Sequence, residues 1–165
     1  RLDMISQTGR TNLAWIEQPA REGDAWNSYP IGTFTIDTMT GIEIADIDGD
    51  GDIDLMAGSY SAGDRMDDES NDSNRPLGRL AWFENPGDPK SAWTRHDISR
   101  RIRAMYDKFI ARDMDGDGDI DFITTRGNSY PYDGVMWLEQ VRTESPVAAF
   151  ARARGEDSPE MPLPD

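Results

Sequence analysis

Cysteine is absent from the 165 residues, and histidine occurs once, as His96. The first absence excludes a disulfide framework, a thiol nucleophile and a cysteine-ligated zinc site, and leaves the redox compartment undecided. Long apolar runs are missing too. No stretch approaches the roughly 20 residues that span a bilayer, and no charged-then-apolar leader opens the sequence, so membrane insertion is not expected. Basic residues are scarce, 17 against 32 acidic ones, and the formal net charge of −15 argues against nucleic acid and anionic membrane as partners, because either polyanion would be repelled. Glycine, proline and aspartate are abundant over an apolar fraction of 36%, a mix that favours one loop-rich β domain.

The aspartates are not scattered. Asp46-Ile47-Asp48-Gly49-Asp50-Gly51-Asp52-Ile53-Asp54 returns 67 residues later as Asp113-Met114-Asp115-Gly116-Asp117-Gly118-Asp119-Ile120-Asp121. At an effective dielectric near 20, close carboxylates repel by about 4 kcal/mol per pair, so a compact loop of this composition needs a cation at its centre. The spacing suits calcium, which takes about six to eight oxygens: alternate aspartates of a tight loop can all turn inward. Asp46, Asp48 and Asp50 fill the first, third and fifth places, and Gly51 stands at the sixth, where the chain must turn. The carbonyl of Asp52 serves the seventh place and Asp54 the ninth. An EF-hand would close with Glu at the twelfth place, but Ala57 and Thr124 stand there and the flanks lack helical periodicity. The competing reading is a solvated acidic turn; the recurrence of the glycine position speaks against it. Two bound calcium ions would bring the formal charge to about −11.

The repeat extends beyond the loops. Leu2-Asp3-Met4-Ile5 lines up with Ile53-Asp54-Leu55-Met56 and Ile120-Asp121-Phe122-Ile123, so residue 1 falls inside what would be an earlier acidic loop. Leu13-Ala14-Trp15-Ile16-Glu17-Gln18-Pro19 returns as Leu80-Ala81-Trp82-Phe83-Glu84-Asn85-Pro86 and again as Val135-Met136-Trp137-Leu138-Glu139-Gln140; Trp26 returns as Trp93 and Ile31 as Ile98. A period of this size belongs to stacked or radial architectures in which no unit buries its own apolar faces. Each unit reads as four short strands. The first is Gly41–Ala45 or Lys108–Arg112, the second Ile53–Ser59 or Ile120–Arg126, the third Arg79–Glu84 or Val135–Glu139, and the fourth Trp93–Ile98. Pro86-Gly87-Asp88-Pro89 is a turn. Four antiparallel strands with one tryptophan per unit describe a propeller blade, and the recurring tryptophans read as blade-to-blade packing.

Strand, Asp-x-Asp-x-Asp-Gly-x-x-Asp, strand, then Leu-Ala-Trp-Phe-Glu-Asn-Pro: this order resembles the FG-GAP or VCBS-type repeat of secreted bacterial proteins, which is similar to the calcium-binding blades of the integrin α-subunit propeller. The resemblance runs from residue 1 to about residue 140. It implies an all-β propeller of about seven blades, with one calcium between the first and second strands of some blades. Carried over residue by residue, the ligands are Asp46, Asp48, Asp50, Asp52 and Asp54 in one blade and Asp113, Asp115, Asp117, Asp119 and Asp121 in the next. The resemblance also implies a location at the cell surface, in the periplasm or outside the cell. Length departs from the pattern: about two and a half units fit, so the remaining blades of a larger propeller are an expected partner. The division is a partial blade over 1–35, a complete blade over 36–102 with calcium loop 46–54 and inserted loop 60–78, a partial or last blade over 103–144 with calcium loop 113–121, and a flexible tail or linker over 145–165, within which 147–154 suits a short helix or a fourth strand.

In an antiparallel meander the first-to-second and third-to-fourth connections share one face, which places calcium opposite the second-to-third connections. That opposite face collects what breaks the repeat: the insertion Tyr60–Gly78, the segment Gly127–Asp133 with Tyr130 and Tyr132, and the basic run Arg100-Arg101-Ile102-Arg103, read as a short turn beside Tyr106. Positions that recur are scaffold, and those that depart are candidates for function. Glu17, Glu84 and Glu139 are therefore structural. His96 takes the place of Tyr29, which favours a structural or exposed role. The insertion is a solvated loop or holds a cation or ligand; Tyr130 and Tyr132 with Arg126 could meet a sugar, and the basic run an acidic glycan. Two functions stand side by side. One is a non-catalytic, calcium-stabilised module that displays loops to an extracellular protein or glycan. The other is part of a propeller-fold polysaccharide lyase acting on a uronic-acid-containing glycan, which needs a base and a charge-neutralising group converging on one sugar.

Overall fold

The computed structural model describes residues 2–62, 78–101, 103–128 and 133–142. All regular structure among them is strand: β1 (Met4–Thr8), β2 (Asn12–Glu17), β3 (Asn27–Thr33), β4 (Thr38–Ala45), β5 (Asp54–Ala62), β6 (Gly78–Glu84), β7 (Thr94–Arg101), β8 (Arg103–Arg112), β9 (Asp121–Gly127) and β10 (Gly134–Leu138). Every pairing is antiparallel. The strands form three meanders, β1–β3, β4–β7 and β8–β10. The second and third are joined where Tyr60, Ser61 and Ala62 at the end of β5 pair with Met105, Ala104 and Arg103 of β8.

Alternation along β5 and β6 decides which residues face which neighbour. Leu55, Ala57, Ala81 and Phe83 pack with Leu13, Trp15 and Ile31 of the first meander. Met56, Leu80 and Trp82 point the other way and pack with Tyr106, Phe109 and Phe122 of the third. The β4–β7 sheet is thus apolar on both faces, the middle layer between two cores, and this is why β6 carries the continuous apolar run Leu80-Ala81-Trp82-Phe83. Trp15 and Trp82 both sit in these inter-sheet layers.

Small residues let β8 come close. A methyl group on Gly58 would stand 2.6 Å from the Cβ of Tyr106, and one on Gly41 would stand 2.7 Å from the backbone of Asp107. The Thr40 hydroxyl donates to the Tyr106 carbonyl at 2.8 Å across the same seam.

Two sequence readings are corrected at their described residues: in the basic run read as a short turn, Arg100 and Arg101 end β7 and Arg103 opens β8, drawn into ladders by Gly78 on one side and Ala62 on the other, and Tyr60–Ala62 and Gly78, read as parts of the inserted loop, belong to β5 and β6. Several other readings fall outside the described residues, namely those for 63–77 of the insertion, for Tyr130 and Tyr132, and for the tail 145–165.

Candidate metal loops

Asp46 organises the first acidic loop. One of its carboxylate oxygens accepts the Gly49 N–H at 2.8 Å and the other the Gly51 N–H at 3.1 Å. Asp48 accepts from the Asp50 N–H at 3.1 Å and Asp50 from the Asp52 N–H at 2.8 Å. Gly49 and Gly51 have φ of 80° and 99°, a left-handed backbone that a side chain would strain. The second loop repeats these bonds: Asp113 accepts from Gly116 at 2.7 Å and from Gly118 at 3.1 Å, Asp115 from Asp117 at 3.1 Å, and Asp117 from Asp119 at 2.9 Å.

These turns gather charge. One carboxylate oxygen from each of Asp46, Asp48 and Asp50 lies within 4.8 Å of the others, and the same holds for Asp113, Asp115 and Asp117. At that separation each pair of charges repels by about 3 kcal/mol or more at an effective dielectric near 20. Burial pushes the Asp48 carboxyl above its ordinary 3.8; the Asp50 N–H opposes the shift, while the charges of Asp50, Glu84 and Asp46 add to it. Three hard oxygens converging in this way fit a metal ion, and both triads could hold one.

Asp54 and Asp121 stand apart from the triads and have a second task. Asp54 is fully buried; its carboxylate accepts the N–H of Ile47 at 2.9 Å and of Asn85 at 2.8 Å. Asp121 takes the N–H of Met114 and of Gln140, both at 2.9 Å, and Asp3 takes that of Gln18 at 2.9 Å. The clamp therefore occurs in all three meanders, tying the start of the second strand to the end of the tryptophan strand. It places the acidic loops and the chain after the tryptophan strand on one face. A carboxylate has about four lone-pair positions, so clamping leaves capacity for a cation. Burial raises the pKa of Asp54 from 3.8, opposed by the N–H groups of Asn85 and Ile47.

Asp52 and Asp119 also lie outside the triads. Asp119 pairs with Arg142, whose Nε stands 3.0 Å from its carboxylate. Arg142 Nη2 donates to the Ile47 carbonyl at 3.1 Å, and Gln140 Nε2 to the same oxygen at 2.9 Å, so this segment ties the two loops together. Sequence reasoning missed both residues. Gln140 had a signal, since it occupies the place of Gln18 and Asn85 in the repeat; Arg142 had none.

His96 has a partner that the sequence did not reveal. Its ring stacks on Trp82 at a centroid distance of 4.3 Å, and Nε2 lies 2.7 Å from Glu84 Oε2. The first meander carries the same arrangement with tyrosine: Tyr29 stacks on Trp15 at 5.2 Å, and its hydroxyl donates to Glu17 at 3.3 Å. Lys90 reaches over from the β6–β7 connection, 3.1 Å from Glu17 and above the Tyr29 ring. The recurrence assigns Glu17, Glu84 and His96 to cross-strand support of the tryptophans. No family model, no curated protein and no solved structure matches the chain.

Proposed function

We propose that this chain is a calcium-stabilised β-propeller repeat module of the FG-GAP or VCBS type, acting outside the cytoplasm, whose three meanders are consecutive blades. The cations occupy the β4–β5 and β8–β9 loops, held by Asp46, Asp48 and Asp50 and by Asp113, Asp115 and Asp117, with Asp54 and Asp121 as further ligands at the loop ends in this reading. The observation that carries this reading is the duplicated acidic triad, built with the same hydrogen bonds at the same place in two successive meanders. Calcium fits better than magnesium because it accepts about six to eight oxygens in flexible geometry, whereas magnesium demands a near-ideal octahedron and usually keeps several waters rather than filling an all-protein cage.

The module has no catalytic task in this reading. The rim opposite the calcium loops, where β5 ends and β6 begins and where β9 ends and β10 begins, is the side that meets an extracellular protein or carbohydrate in this reading. The matching of His96–Glu84 to Tyr29–Glu17 supports the choice over a lyase, because it gives the one histidine a structural duty. Calorimetric titration of metal-depleted protein with calcium tests the proposal: two ions bind per chain, and Asp48→Ala and Asp115→Ala each remove one. Binding of no calcium, or a stoichiometry untouched by both substitutions, overturns it. Incubation with uronic-acid polysaccharides yields no unsaturated product; turnover abolished by His96→Ala would favour the lyase.

A further inference from the structure

One guanidinium lies between the two acidic loops and touches both. Arg142 Nε stands 3.0 Å from the Asp119 carboxylate of the second loop, and Nη2 donates to the Ile47 carbonyl of the first at 3.1 Å. The same group lies against Gly49, where a methyl group would stand 2.9 Å from Nη1. The two loops hold ten aspartates between them, so this positive charge sits in a strongly negative field.

The repeat builds the corresponding place in the middle meander without the charge. Asn85 and Gln140 are counterparts, and two residues further on stand Gly87 and Arg142. A methyl group on Gly87 would stand 3.2 Å from Asp52 Oδ2, so this position faces Asp52 as Arg142 faces Asp119. The first loop makes the same internal hydrogen bonds beside this glycine as the second makes beside its arginine. The shape of an acidic loop therefore does not call for the charge.

We propose, on the calcium reading of these loops, that Arg142 is an internal counter-ion that competes with the cations: it stabilises the metal-free chain and lowers its affinity for calcium. A guanidinium beside the carboxylates offsets part of their mutual repulsion when no ion is present, and it repels a divalent ion that enters. By linkage, the factor by which Arg142 weakens calcium binding is the factor by which calcium weakens the hold on Arg142. The side chain is 45% exposed, so salt screens the competition.

Calorimetric calcium titrations and thermal melts of wild type, Arg142→Gln and Arg142→Lys, at low and at moderate salt, test this. Arg142→Gln replaces the guanidinium with a neutral donor. Metal-depleted Arg142→Gln melts below wild type, yet it binds calcium about tenfold more tightly at low salt, a gap that narrows as salt is added. Arg142→Lys keeps the charge and stays near wild type in both measurements. A lost packing contact would lower the melt and weaken calcium binding together, so the opposed shifts belong to the charge. If two ions bind but Arg142→Gln holds them no more tightly than wild type, or melts with wild type when metal-free, the proposal is overturned and the calcium reading stands. Absence of calcium binding in all three proteins overturns that reading and this proposal with it.

Discussion

Asp54 and Asn85 are joined across two strands by a buried hydrogen bond of 2.8 Å, from the Asn85 N–H to a carboxylate whose other oxygen holds the N–H of Ile47 at 2.9 Å. Replacing Asp54 with Ala leaves two N–H groups without this partner in a site closed to solvent, at a cost of about 1–3 kcal/mol for each. Asp54→Ala is therefore expected to lose about 2–5 kcal/mol in urea denaturation, and Asp121→Ala a similar amount. The loss persists in metal-free protein, which separates the clamp from any role in holding an ion.

His96→Tyr reproduces in the middle meander what Tyr29 does in the first, a ring on the tryptophan and a hydroxyl toward the glutamate. Its stability is expected within about 0.5 kcal/mol of wild type. His96→Ala removes the stack and the bond to Glu84 and costs about 1–2 kcal/mol. Thermal melts of the two variants at neutral pH check the contrast.

Gly58→Ala tests the seam between the second and third meanders. A methyl group there would press to 2.6 Å from Tyr106 Cβ and 2.9 Å from Phe109 Cζ, so the sheets must part or the side chains leave their rotamers. Overpacking of this kind costs about 1–3 kcal/mol. Chemical denaturation gives the value.

Acidity acts on the metal-free loops with a definite sign. The carboxyls of Asp48 and Asp54 have folded-state pKa values raised above 3.8, chiefly by burial, so the folded chain holds their protons more tightly than the unfolded chain. Their contribution favours folding below the ordinary carboxylate range and is lost as pH rises through the raised values. Metal-depleted protein is therefore expected to lose this contribution as pH rises above the ordinary carboxylate range of about 4. Equilibrium denaturation across that range measures it.

Local chemistry was legible in the residues, and contacts between distant segments were not. The triad aspartates and Gly51 announce themselves because carboxylates and a turn glycine at fixed spacing act within a few residues. The tryptophan strands show through their pattern, and the places of Trp15 and Trp82 between sheets follow from repetition. Asp54 read only as a ligand, because its clamp depends on Asn85, which is 31 residues away. Arg100–Arg103 read as a turn because nothing local records that Ala62 of β5 pairs with Arg103. Arg142 carried no signal at all: its ties to Asp119 and Ile47 exist only once two loops have been brought side by side.

The most direct test of the central claim is the melting temperature in millimolar calcium against the same protein in excess chelator. With dissociation constants about a hundredfold below the free calcium, each filled loop adds about 2.7 kcal/mol to folding stability. The account predicts that chelation lowers the midpoint by many degrees and that restoring calcium brings it back. Superimposable melting curves with and without calcium would contradict it.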